Sequence, residues 1–288
     1  MRNQRPIAFI TGATSGIGKE FAVRFAEKGY DLIITGRRKN ELRNVAATIQ
    51  SQNPVRVKIL TGDLSCRSYR NRLCRKILDT PEIEVLVNNA GFGIDHAFHM
   101  IGIEDIRSMV DTHTMAVAEL IHAILPSMLK KRRGTIINVS SLAAFTPGFS
   151  RSIYLGTKSF VHYFTEALGA EISSFGIRVQ SLCPGMTFSD FHRNIDDPES
   201  MKKIKRLPFM SPEEVVSQSL KSLDKGHILC IPGFINKLLY ILAKIVPTQI
   251  ARRLSVFEKE EPVPIVHEIP GSTEVKYDEI FCSLKPAC

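Results

Sequence analysis

The sequence predicts an α/β protein built on a doubly wound parallel sheet of about seven strands, with helices on both faces. Short runs of apolar and β-branched residues alternate with longer segments whose apolar residues recur every three or four positions. The short runs are apolar throughout, which is typical of strands that are covered on both faces. Because strand–helix alternation produces right-handed crossovers, we expect the strands to lie parallel in one sheet.

Seven runs are the strand candidates, namely Ile7–Thr11, Asp31–Thr35, Val55–Thr61, Glu84–Asn88, Gly134–Ser140, Arg178–Cys183 and Ile228–Ile231. Helix candidates occupy the segments between them. Beyond Gly185 the pattern is irregular over 186–210, a length typical of a substrate loop or lid. The segment Ser211–Glu214 then predicts a new helix, because it offers an N-cap serine, a first-turn proline and a capping-box glutamate.

A glycine-rich turn, Thr11–Gly18, follows the first strand candidate and opens the first helix candidate. Backbone can approach a pyrophosphate only where side chains do not obstruct it, and the start of a helix offers free N–H groups to an anion. The turn therefore predicts a dinucleotide site. Its predicted cofactor contacts are Gly12, Thr14, Ser15, Gly16, Ile17 and Gly18.

The residues after the second strand candidate predict which dinucleotide binds. NAD sites place an acidic residue here to accept from the ribose 2′-hydroxyl. This chain has Gly36, Arg37 and Arg38 instead, with no acid between Thr35 and Asn40. Arginine can hold a 2′-phosphate through charge-assisted, bidentate hydrogen bonds. We therefore predict NADP(H), with Arg37 as the main contact and Arg38 as a weaker one.

Two further turns follow the third and fourth strand candidates, at the edge where doubly wound sheets bind ligands. Asp63 is placed to accept a hydrogen bond from the adenine amine, with Leu64 beside it. The alternative for Asp63 is a local loop or N-cap role. The turn after the fourth strand would let the cofactor ribose lie close, and its contacts are Asn89, Ala90 and Gly91.

Three residues form a candidate catalytic set: Ser141, Tyr154 and Lys158. Tyr154 and Lys158 are four residues apart and share one face of a helix candidate. A nearby ammonium and an oxidised nicotinamide would lower the pKa of the tyrosine. Ser141, at the end of a strand candidate, can hydrogen-bond the substrate oxygen. A Tyr-x3-Lys pair alone is common, but its order after the glycine turn and the serine predicts catalysis.

These motifs together resemble the short-chain dehydrogenase/reductase family across about Pro6–Ile231. The resemblance rests on Thr11–Gly18, Asn88–Gly91, Ser141, Tyr154, Lys158 and Pro184-Gly185. It implies a Rossmann sheet and an NADP(H)-dependent enzyme that interconverts a carbonyl and an alcohol. It also implies that Lys158 contacts the nicotinamide ribose, and that the loop Pro184–Ser189, with Gly185 and Thr187, holds the carboxamide. By the same resemblance the chain forms a homodimer or homotetramer through the helix candidates Glu104–Lys131 and Ser152–Phe175.

One position departs from the family pattern. The family usually has an asparagine in the helix before Ala116, as a fourth member of the proton relay, and His113 occupies that place here. Three interpretations are open. The change is tolerated because the asparagine acts partly through its main-chain carbonyl, His113 itself relays protons near its ordinary pKa of about 6.5, or the site is crippled.

The predicted substrate pocket is apolar. Its candidate lining residues are Phe92, Phe145, Phe149, Met186 and Phe188. A hydrophobic ketone is therefore expected, and resemblance of the stretch Ile231–Phe234 and the following apolar helix to one branch of the family implies an acyl- or steroid-like one. The alternative is a nicotinamide-binding regulator or scaffold with little turnover, which only His113 favours.

The C-terminal part of the chain divides into two segments after a catalytic domain over 1–233. Residues 234–257 are predicted to form an apolar and basic helical extension, and the acidic residues 258–288 a loosely packed tail. The apolar stretch over 234–246 is too short to span a bilayer. It predicts either a helix that caps the core or a partner subunit, or an interfacial helix over 234–253 that contacts a membrane.

Charge and cysteine content bound the remaining classes. The net charge is +9, with −4 from Glu258 onward and +13 before it, which suits an anionic cofactor, an anionic membrane or nucleic acid. We do not expect nucleic-acid binding, because no recognisable reading element accompanies the basic residues. The six cysteines lack CxxC spacing, which favours reduced thiols in a cytoplasmic protein and no metal site. Because the chain runs from Met1 straight into a strand candidate, we also expect no signal peptide.

Overall fold

The computed structural model describes residues 5–94, 96, 98–145, 151–187 and 209–246. These residues form a seven-stranded parallel sheet in the order β3-β2-β1-β4-β5-β6-β7. The strands are β1 (Ile7–Thr11), β2 (Asp31–Gly36), β3 (Val57–Thr61), β4 (Ile83–Asn88), β5 (Gly134–Val139), β6 (Ile177–Leu182) and β7 (Leu229–Cys230). All seven predicted strands are confirmed, and their ends differ from the predicted runs by at most two residues.

Helices cover both faces of the sheet, as predicted. They are α1 (Gly16–Glu27), α2 (Lys39–Gln52), α3 (Arg67–Leu78), α4 (Ile103–Val110), α5 (Ala116–Lys131), α6 (Ser152–Ile172), α7 (Pro212–Asp224) and α8 (Phe234–Ile245). Successive residues of β1 serve opposite cores, since side chains alternate along a strand. Ile10 packs with Phe21 of α1 on one face, and Phe9 packs with Leu120 of α5 on the other.

The strand order creates a crevice beside β1. The chain runs outward from β1 to β2 and β3, and then returns to β4 on the other side of β1. Helices therefore diverge to opposite faces at the carboxyl ends of β1 and β4, which is where open parallel sheets bind ligands. Thr11 and Asn88 are the last residues of these two strands.

A π-helical turn, Asp111–Met115, joins α4 to α5. It makes Ile103–Lys131 one continuous helical segment, close to the predicted Glu104–Lys131, but the π turn itself was not predicted. A π turn inserts one extra residue and often marks a functional site. His113 lies in it and is 1% exposed.

Two predictions concern the helices after residue 208, of which the cap of α7 is confirmed and the burial of α8 is not. Ser211 caps α7 as predicted: its hydroxyl accepts from the Glu214 N–H at 3.2 Å, and its N–H donates to the Glu214 carboxylate at 2.9 Å. The apolar stretch forms α8, but the idea that it caps the core is wrong for most of its apolar residues. Leu238 and Ile241 are about half exposed, at 47% and 50%, because the polar Asn236 faces the body instead.

Three other observations concern the predicted class. No described helix has the length and apolar character needed to cross a bilayer. Cys74, Cys183 and Cys230 are free thiols, whereas Cys66 is disulfide-bonded, so the expectation of reduced cysteines is wrong at Cys66. The predicted tail over 258–288 lies outside the described residues, and the three-segment division stays a prediction.

Candidate active site

The glycine turn is seated on the turn that follows β4. Gly12 and Gly16 have φ of +67° and +56°, a backbone conformation that glycine adopts at no steric cost. A Cβ on Gly12 would lie 2.7 Å from the Cα of Ala90, and one on Gly18 would lie 2.3 Å from Asn89 Nδ2. Both positions therefore require glycine for close packing between the two turns.

Thr11 joins the two turns, a role that the sequence did not reveal. Its Oγ1 accepts from the backbone N–H groups of Asn89 at 2.9 Å and Ala90 at 3.1 Å. In return, Asn89 Nδ2 donates to the carbonyl oxygens of Thr11 at 3.1 Å and Gly12 at 3.0 Å. The predicted cofactor residue Asn89 thus fixes the shape of the glycine turn.

The start of α1 suits an anion. Ser15 is the N-cap residue, but no side chain caps the helix there, and its first turn contains no acidic residue. The N–H groups and positive dipole end of a helix in that state favour phosphate. Together with the side-chain-free surface at Gly12 and Gly18, this N-terminus fits the pyrophosphate of a dinucleotide.

The two arginines after β2 lie differently from each other. The Arg38 guanidinium donates to Thr14 Oγ1 at 2.8 Å and Ser15 Oγ at 3.2 Å, directly on the glycine turn. Arg37 reaches across to Asp63, with 3.7 Å between Nη1 and Oδ2, and lies 5.8 Å from the centre of the Phe92 ring. The Arg37–Asp63 pair is exposed and long, so it competes only weakly with a phosphate for the guanidinium.

Asp63 combines the predicted position with the alternative local role. One carboxylate oxygen accepts from both the N–H and the hydroxyl of Ser65, each at 2.9 Å. The other carboxylate oxygen faces Arg37. Leu64 is buried, and its carbonyl accepts from Arg70 at 2.9 Å.

Arg70 is a buried residue that sequence reasoning missed. It is 3% exposed, and its guanidinium meets Glu119 at 2.9 Å and Asp111 at 3.1 Å. It therefore ties α3 to α5 and to the π turn. Nothing in the local pattern of α3 singles this arginine out from the four other basic residues of the helix, because its partners are far along the chain.

The candidate catalytic residues meet at the carboxyl end of β5. Ser141 lies just beyond β5, where its Oγ accepts from the Ala143 N–H at 3.2 Å. Tyr154 and Lys158 lie on α6, with Lys158 Nζ 5.8 Å from the centre of the tyrosine ring. Lys158 Nζ also donates to the Val139 carbonyl at 2.9 Å.

Burial dominates the ionisation of this group. It lowers the pKa of Lys158 from 10.5 to about 8. It also raises the pKa of Tyr154 above its ordinary value, and a hydrogen bond with the Ser141 side chain opposes that rise only in part. The predicted lowering of the Tyr154 pKa also requires an oxidised nicotinamide, so it stays a prediction for the protein with its cofactor.

His113 is held between two turns of the site. Its Nε2 accepts from the Phe92 N–H at 3.0 Å, and its Nδ1 lies 3.0 Å from Thr157 Oγ1. Thr157 in turn donates to the Tyr154 carbonyl at 2.9 Å. Burial first, and the Lys158 charge second, keep the pKa of His113 well below 6.5. The ring is therefore neutral with its proton on Nδ1.

Two further glycines of the site, Gly91 and Gly185, have no space for a side chain. A Cβ on Gly91 would lie 3.0 Å from His113 Nε2 and 3.5 Å from Lys158 Nζ. Gly185, in the predicted carboxamide loop, is packed against α8, since a Cβ there would lie 2.3 Å from Asn236 Oδ1. In the same loop the Pro184 carbonyl accepts from Leu142, and Thr187 is buried and bridges to Met210.

The predicted pocket residues divide into two groups. Phe145 packs edge-on between His162 of α6, at 4.6 Å, and Tyr240 of α8, at 4.7 Å between ring centres. Phe92 lies beside Arg37 and His113, and the His113 ring in turn lies 5.9 Å from the Tyr154 ring, measured between ring centres. Met186 adjoins Met210 through a backbone hydrogen bond of 3.0 Å. Phe149 and Phe188 lie outside the described residues, and Tyr240 was not predicted.

The described residues contain no group of three or more His, Cys, Asp or Glu side chains that could hold a metal ion.

The model of the short chain dehydrogenase family matches residues 6–200 of the chain. This range includes the glycine turn and the three candidate catalytic residues, Ser141, Tyr154 and Lys158. The chain belongs to the short-chain dehydrogenase family. The predicted family, the doubly wound fold and an oxidoreductase are thereby confirmed. The match ends before α8, so the predicted branch with an apolar C-terminal extension stays a prediction.

Relatives of this short-chain dehydrogenase include enzymes of two kinds. The very-long-chain 3-oxoacyl-CoA reductase of Anas platyrhynchos is 36% identical over 62% of this chain. This chain spans only 58% of the length of that relative. The NADP-dependent 3-hydroxy acid dehydrogenase of Salmonella typhimurium is 32% identical over 73% of the chain and 85% of the relative.

Solved structures resemble this short-chain dehydrogenase over nearly its full length. A short-chain dehydrogenase from Sphingobium yanoikuyae in complex with NADPH is 29% identical, with a TM-score of 0.75 over 90% of this chain and 98% of the other. A bulky-bulky ketone specific alcohol dehydrogenase from Comamonas testosteroni is 26% identical, with a TM-score of 0.72 over 92% and 99% of the two chains.

Proposed function

We propose that this short-chain dehydrogenase is an NADPH-dependent enzyme that interconverts a hydrophobic ketone and the corresponding alcohol. The observation that carries the proposal is the meeting of Ser141, Tyr154 and Lys158 beside the crevice that the glycine turn opens. A proton donor, an ammonium and a hydroxyl are the groups that carbonyl reduction requires.

NADP(H) is the cofactor that the site suits. The turn geometry and the uncapped start of α1 fit a pyrophosphate, and Arg37 and Arg38 provide positive charge where an NAD site has an acid. Named relatives with NADP dependence and the Sphingobium complex with NADPH support the same choice. When bound, the cofactor supplies the hydride that reaches the carbonyl carbon.

The residues of the chain handle the proton and the oxygen. In the direction of reduction, the Tyr154 hydroxyl donates its proton to the substrate oxygen as negative charge develops there. Ser141 donates a hydrogen bond to the same oxygen. The Lys158 ammonium lies beside the tyrosine ring and stabilises the phenolate that forms. Because the pKa of Lys158 is about 8, this lysine is mostly charged at neutral pH.

His113 acts as a positioning residue in this scheme rather than as a proton relay. Both ring nitrogens already have partners, the Phe92 N–H and the Thr157 hydroxyl. Through Thr157 the ring supports the backbone of Tyr154. This arrangement fits the interpretation that histidine is tolerated in place of the family's asparagine.

The substrate class follows from the side chains near Ser141. Phe145 and Tyr240 offer aromatic faces there, and Met186 and Met210 adjoin the same region. Apolar walls around few polar groups favour a hydrophobic ligand. The 3-oxoacyl-CoA and bulky-ketone names of the relatives support an acyl- or steroid-like ketone.

Self-association through the long helices is part of the proposal. Met115, in the π turn, is 44% exposed, and Phe160 and Tyr163 on α6 are 42% and 57% exposed. Large apolar side chains exposed on neighbouring helices are typical of subunit interfaces. A homodimer or homotetramer would cover them, and light scattering of the purified protein measures its mass.

The first experiment titrates the purified protein with NADPH and with NADH, following quenching or energy-transfer fluorescence. We expect Arg37→Ala to weaken NADPH by about tenfold to hundredfold, since hydrogen bonds to charged groups contribute about 1.5–3 kcal/mol. Arg43→Ala, an exposed arginine on α2, is the matched control and should change little.

Turnover is tested next with hydrophobic ketones against Tyr154→Phe, which removes the hydroxyl and keeps the ring. Activity that is abolished in this variant, with NADPH binding retained, supports the proposed chemistry. Binding of neither nucleotide to the wild-type protein would overturn the proposal. NADPH binding without turnover of any ketone would favour the regulator or scaffold instead.

A further inference from the structure

Helix α8 exposes the residues that a soluble helix normally buries. Of its twelve residues, only Asn236 is fully buried. Seven large apolar side chains are between 43% and 82% exposed: Phe234, Ile235, Leu238, Leu239, Ile241, Leu242 and Ile245. Contiguous apolar surface of this kind marks an interaction site.

The attachment of α8 to the body determines which way this face points. Asn236 donates to the Pro232 carbonyl at 2.7 Å and contacts Met210 Sδ at 3.6 Å. One turn later, Tyr240 packs on Phe145 at 4.7 Å. Residues four apart lie on one face of a helix, so Asn236 and Tyr240 hold α8 to the body. The apolar face points away from it.

The charges on α8 are all of one sign. Lys237 and Lys244 are both exposed, and α8 contains no acidic residue. Lys244 Nζ lies 5.7 Å from the centre of the Tyr240 ring, so it stands at the border between the attached stripe and the apolar face. A helix with an apolar face bordered by lysines has the pattern of an interfacial helix.

We propose that α8 is a membrane-docking surface, which lies in the interface of an anionic lipid bilayer with its apolar face towards the acyl chains. At twelve residues it would lie along the surface, since a bilayer-spanning helix needs about 20 residues. Lys237 and Lys244 would meet the lipid headgroups. The net charge of +9 for the whole chain favours an anionic surface.

A second copy of the chain suits this face less well. A two-fold contact of α8 with itself would bring the lysines of one subunit towards those of the other. No acid on α8 could compensate this repulsion. An anionic headgroup layer supplies the opposite charge over the whole length of the helix.

The test is flotation of the full chain with vesicles of phosphatidylcholine alone and of phosphatidylcholine with 30% phosphatidylserine (roughly, a charge density typical of PS-rich membranes). We expect binding to the anionic vesicles that falls as salt rises. The double variant Leu238→Ser/Ile241→Ser should bind at least about tenfold more weakly, because it removes apolar area from the middle of the face. Leu78→Ser, which changes a 61% exposed leucine on α3, is the matched control.

The lysines are tested separately. Lys237→Gln should weaken binding to the anionic vesicles about fivefold, as expected for one basic residue at such a surface. Lys28→Gln, which changes the exposed residue that follows α1, should not. Far-ultraviolet circular dichroism and NADPH titration check that each variant is folded. Wild-type protein that binds neither vesicle would overturn the proposal. A double variant that binds the anionic vesicles as the wild type does would also overturn it. A double variant whose only change is a lower mass in light scattering would overturn it too, because α8 would then be a subunit interface.

Discussion

The Phe92 N–H donates a hydrogen bond of 3.0 Å to Nε2 of His113. Because a backbone N–H can only donate, Nε2 must be unprotonated, and the ring proton is on Nδ1, facing Thr157 Oγ1 at 3.0 Å. One backbone contact thus selects both the tautomer and the charge of a residue that replaces the family's relay asparagine. The Thr157 hydroxyl in turn donates a hydrogen bond to the Tyr154 carbonyl oxygen, which connects His113 to the backbone of the tyrosine.

The first prediction concerns His113→Asn. A shorter amide cannot reach both partners, so we expect a lower free energy of unfolding, by about 1–3 kcal/mol for the unpaired buried groups. Because His113 stays neutral, kcat/KM should keep the same pH profile between about pH 5 and 8, with only its height changed. The measurement is the pH dependence of turnover for both proteins, with Arg43→Ala as the control.

Two results would contradict this role of His113. An inflection near neutral pH that disappears in His113→Asn would mean that the ring exchanges protons during turnover. A large gain in turnover with asparagine would instead mean that histidine cripples the site. A loss of stability without either change supports positioning.

The second prediction concerns stability against acid. Burial lowers the pKa values of both His113 and His162 in the folded chain. The unfolded chain therefore binds more protons than the folded one below the ordinary histidine pKa of about 6.5. The stabilisation is complete above that pH and is lost as the pH falls, by up to about 1.4 kcal/mol per histidine per pH unit.

Urea unfolding at pH 7.5, 6.5 and 5.5 (roughly one unit either side of the ordinary histidine pKa) measures this loss. Wild-type protein should lose more stability across the range than His113→Asn, and His162→Gln should also flatten the curve. Exposed His122, on α5, provides the control variant His122→Gln, which should follow the wild type. Parallel curves for wild type and His113→Asn would mean that His113 is not held neutral.

The strands and the catalytic set were predictable from the sequence because their signals are local. An apolar run such as that of β1 forms a buried strand wherever it lies, and Tyr154 and Lys158 share a helix face by spacing alone. The hydrogen bonds that hold the site together join residues far apart in the sequence, and these bonds could not be predicted. Thr11 meets Asn89 across 78 residues and Arg70 meets Glu119 across 49, so their partners depend on the strand order.

The sequence left two alternatives open for the apolar stretch of α8, a helix that caps the core or a partner subunit and an interfacial helix that contacts a membrane. Composition could not decide between them, because burial of leucine and isoleucine is favourable in either place. Here Asn236 takes the inward position and its amide finds the Pro232 carbonyl. The stripe of α8 that faces the body is thus the one that carries Asn236 and Tyr240, and the Tyr240 ring packs on Phe145. The π turn around His113 likewise has no compositional signal in the sequence.

The third prediction compares two glycines on helices of the site. A Cβ on Gly18 would lie 2.3 Å from both Asn89 Nδ2 and the Gly12 carbonyl oxygen, whereas a Cβ on Gly156 meets nothing within 4 Å. We expect Gly18→Ala to abolish nucleotide binding and to lower the free energy of unfolding by about 1–3 kcal/mol through overpacking. Gly156→Ala should raise it by about 0.5–1 kcal/mol, since alanine favours helix.

Thermal unfolding and NADPH titration of the two alanine variants check this contrast. The pair is matched because each adds one methyl group to a helix. Nucleotide binding that survives in Gly18→Ala would mean that the glycine turn is not a cofactor site. A loss of stability in Gly156→Ala would mean that this part of α6 packs against something beyond the described contacts.

The fourth prediction sets activity against stability at Lys158. Burial lowers the pKa of this lysine from 10.5 to about 8, so keeping it charged at neutral pH costs free energy. Between the two values the unfolded chain binds more protons than the folded one, and stability therefore rises with pH from about 8 towards 10.5. Replacing the ammonium with the apolar side chain of Lys158→Met should remove that cost.

We expect Lys158→Met to be inactive and yet more stable than the wild type at pH 7, by about 1–3 kcal/mol. A shift of one pKa unit corresponds to about 1.4 kcal/mol, and loss of the hydrogen bond to the Val139 carbonyl offsets part of this gain in stability. Urea unfolding at pH 7 and at pH 9.5 (about one unit below the ordinary lysine pKa) measures the difference. The advantage of the variant should shrink at the higher pH, where the wild-type lysine is neutral in the folded chain. A variant that is less stable at pH 7 would mean that the charged lysine stabilises the folded chain, and that its burial carries no net cost in free energy.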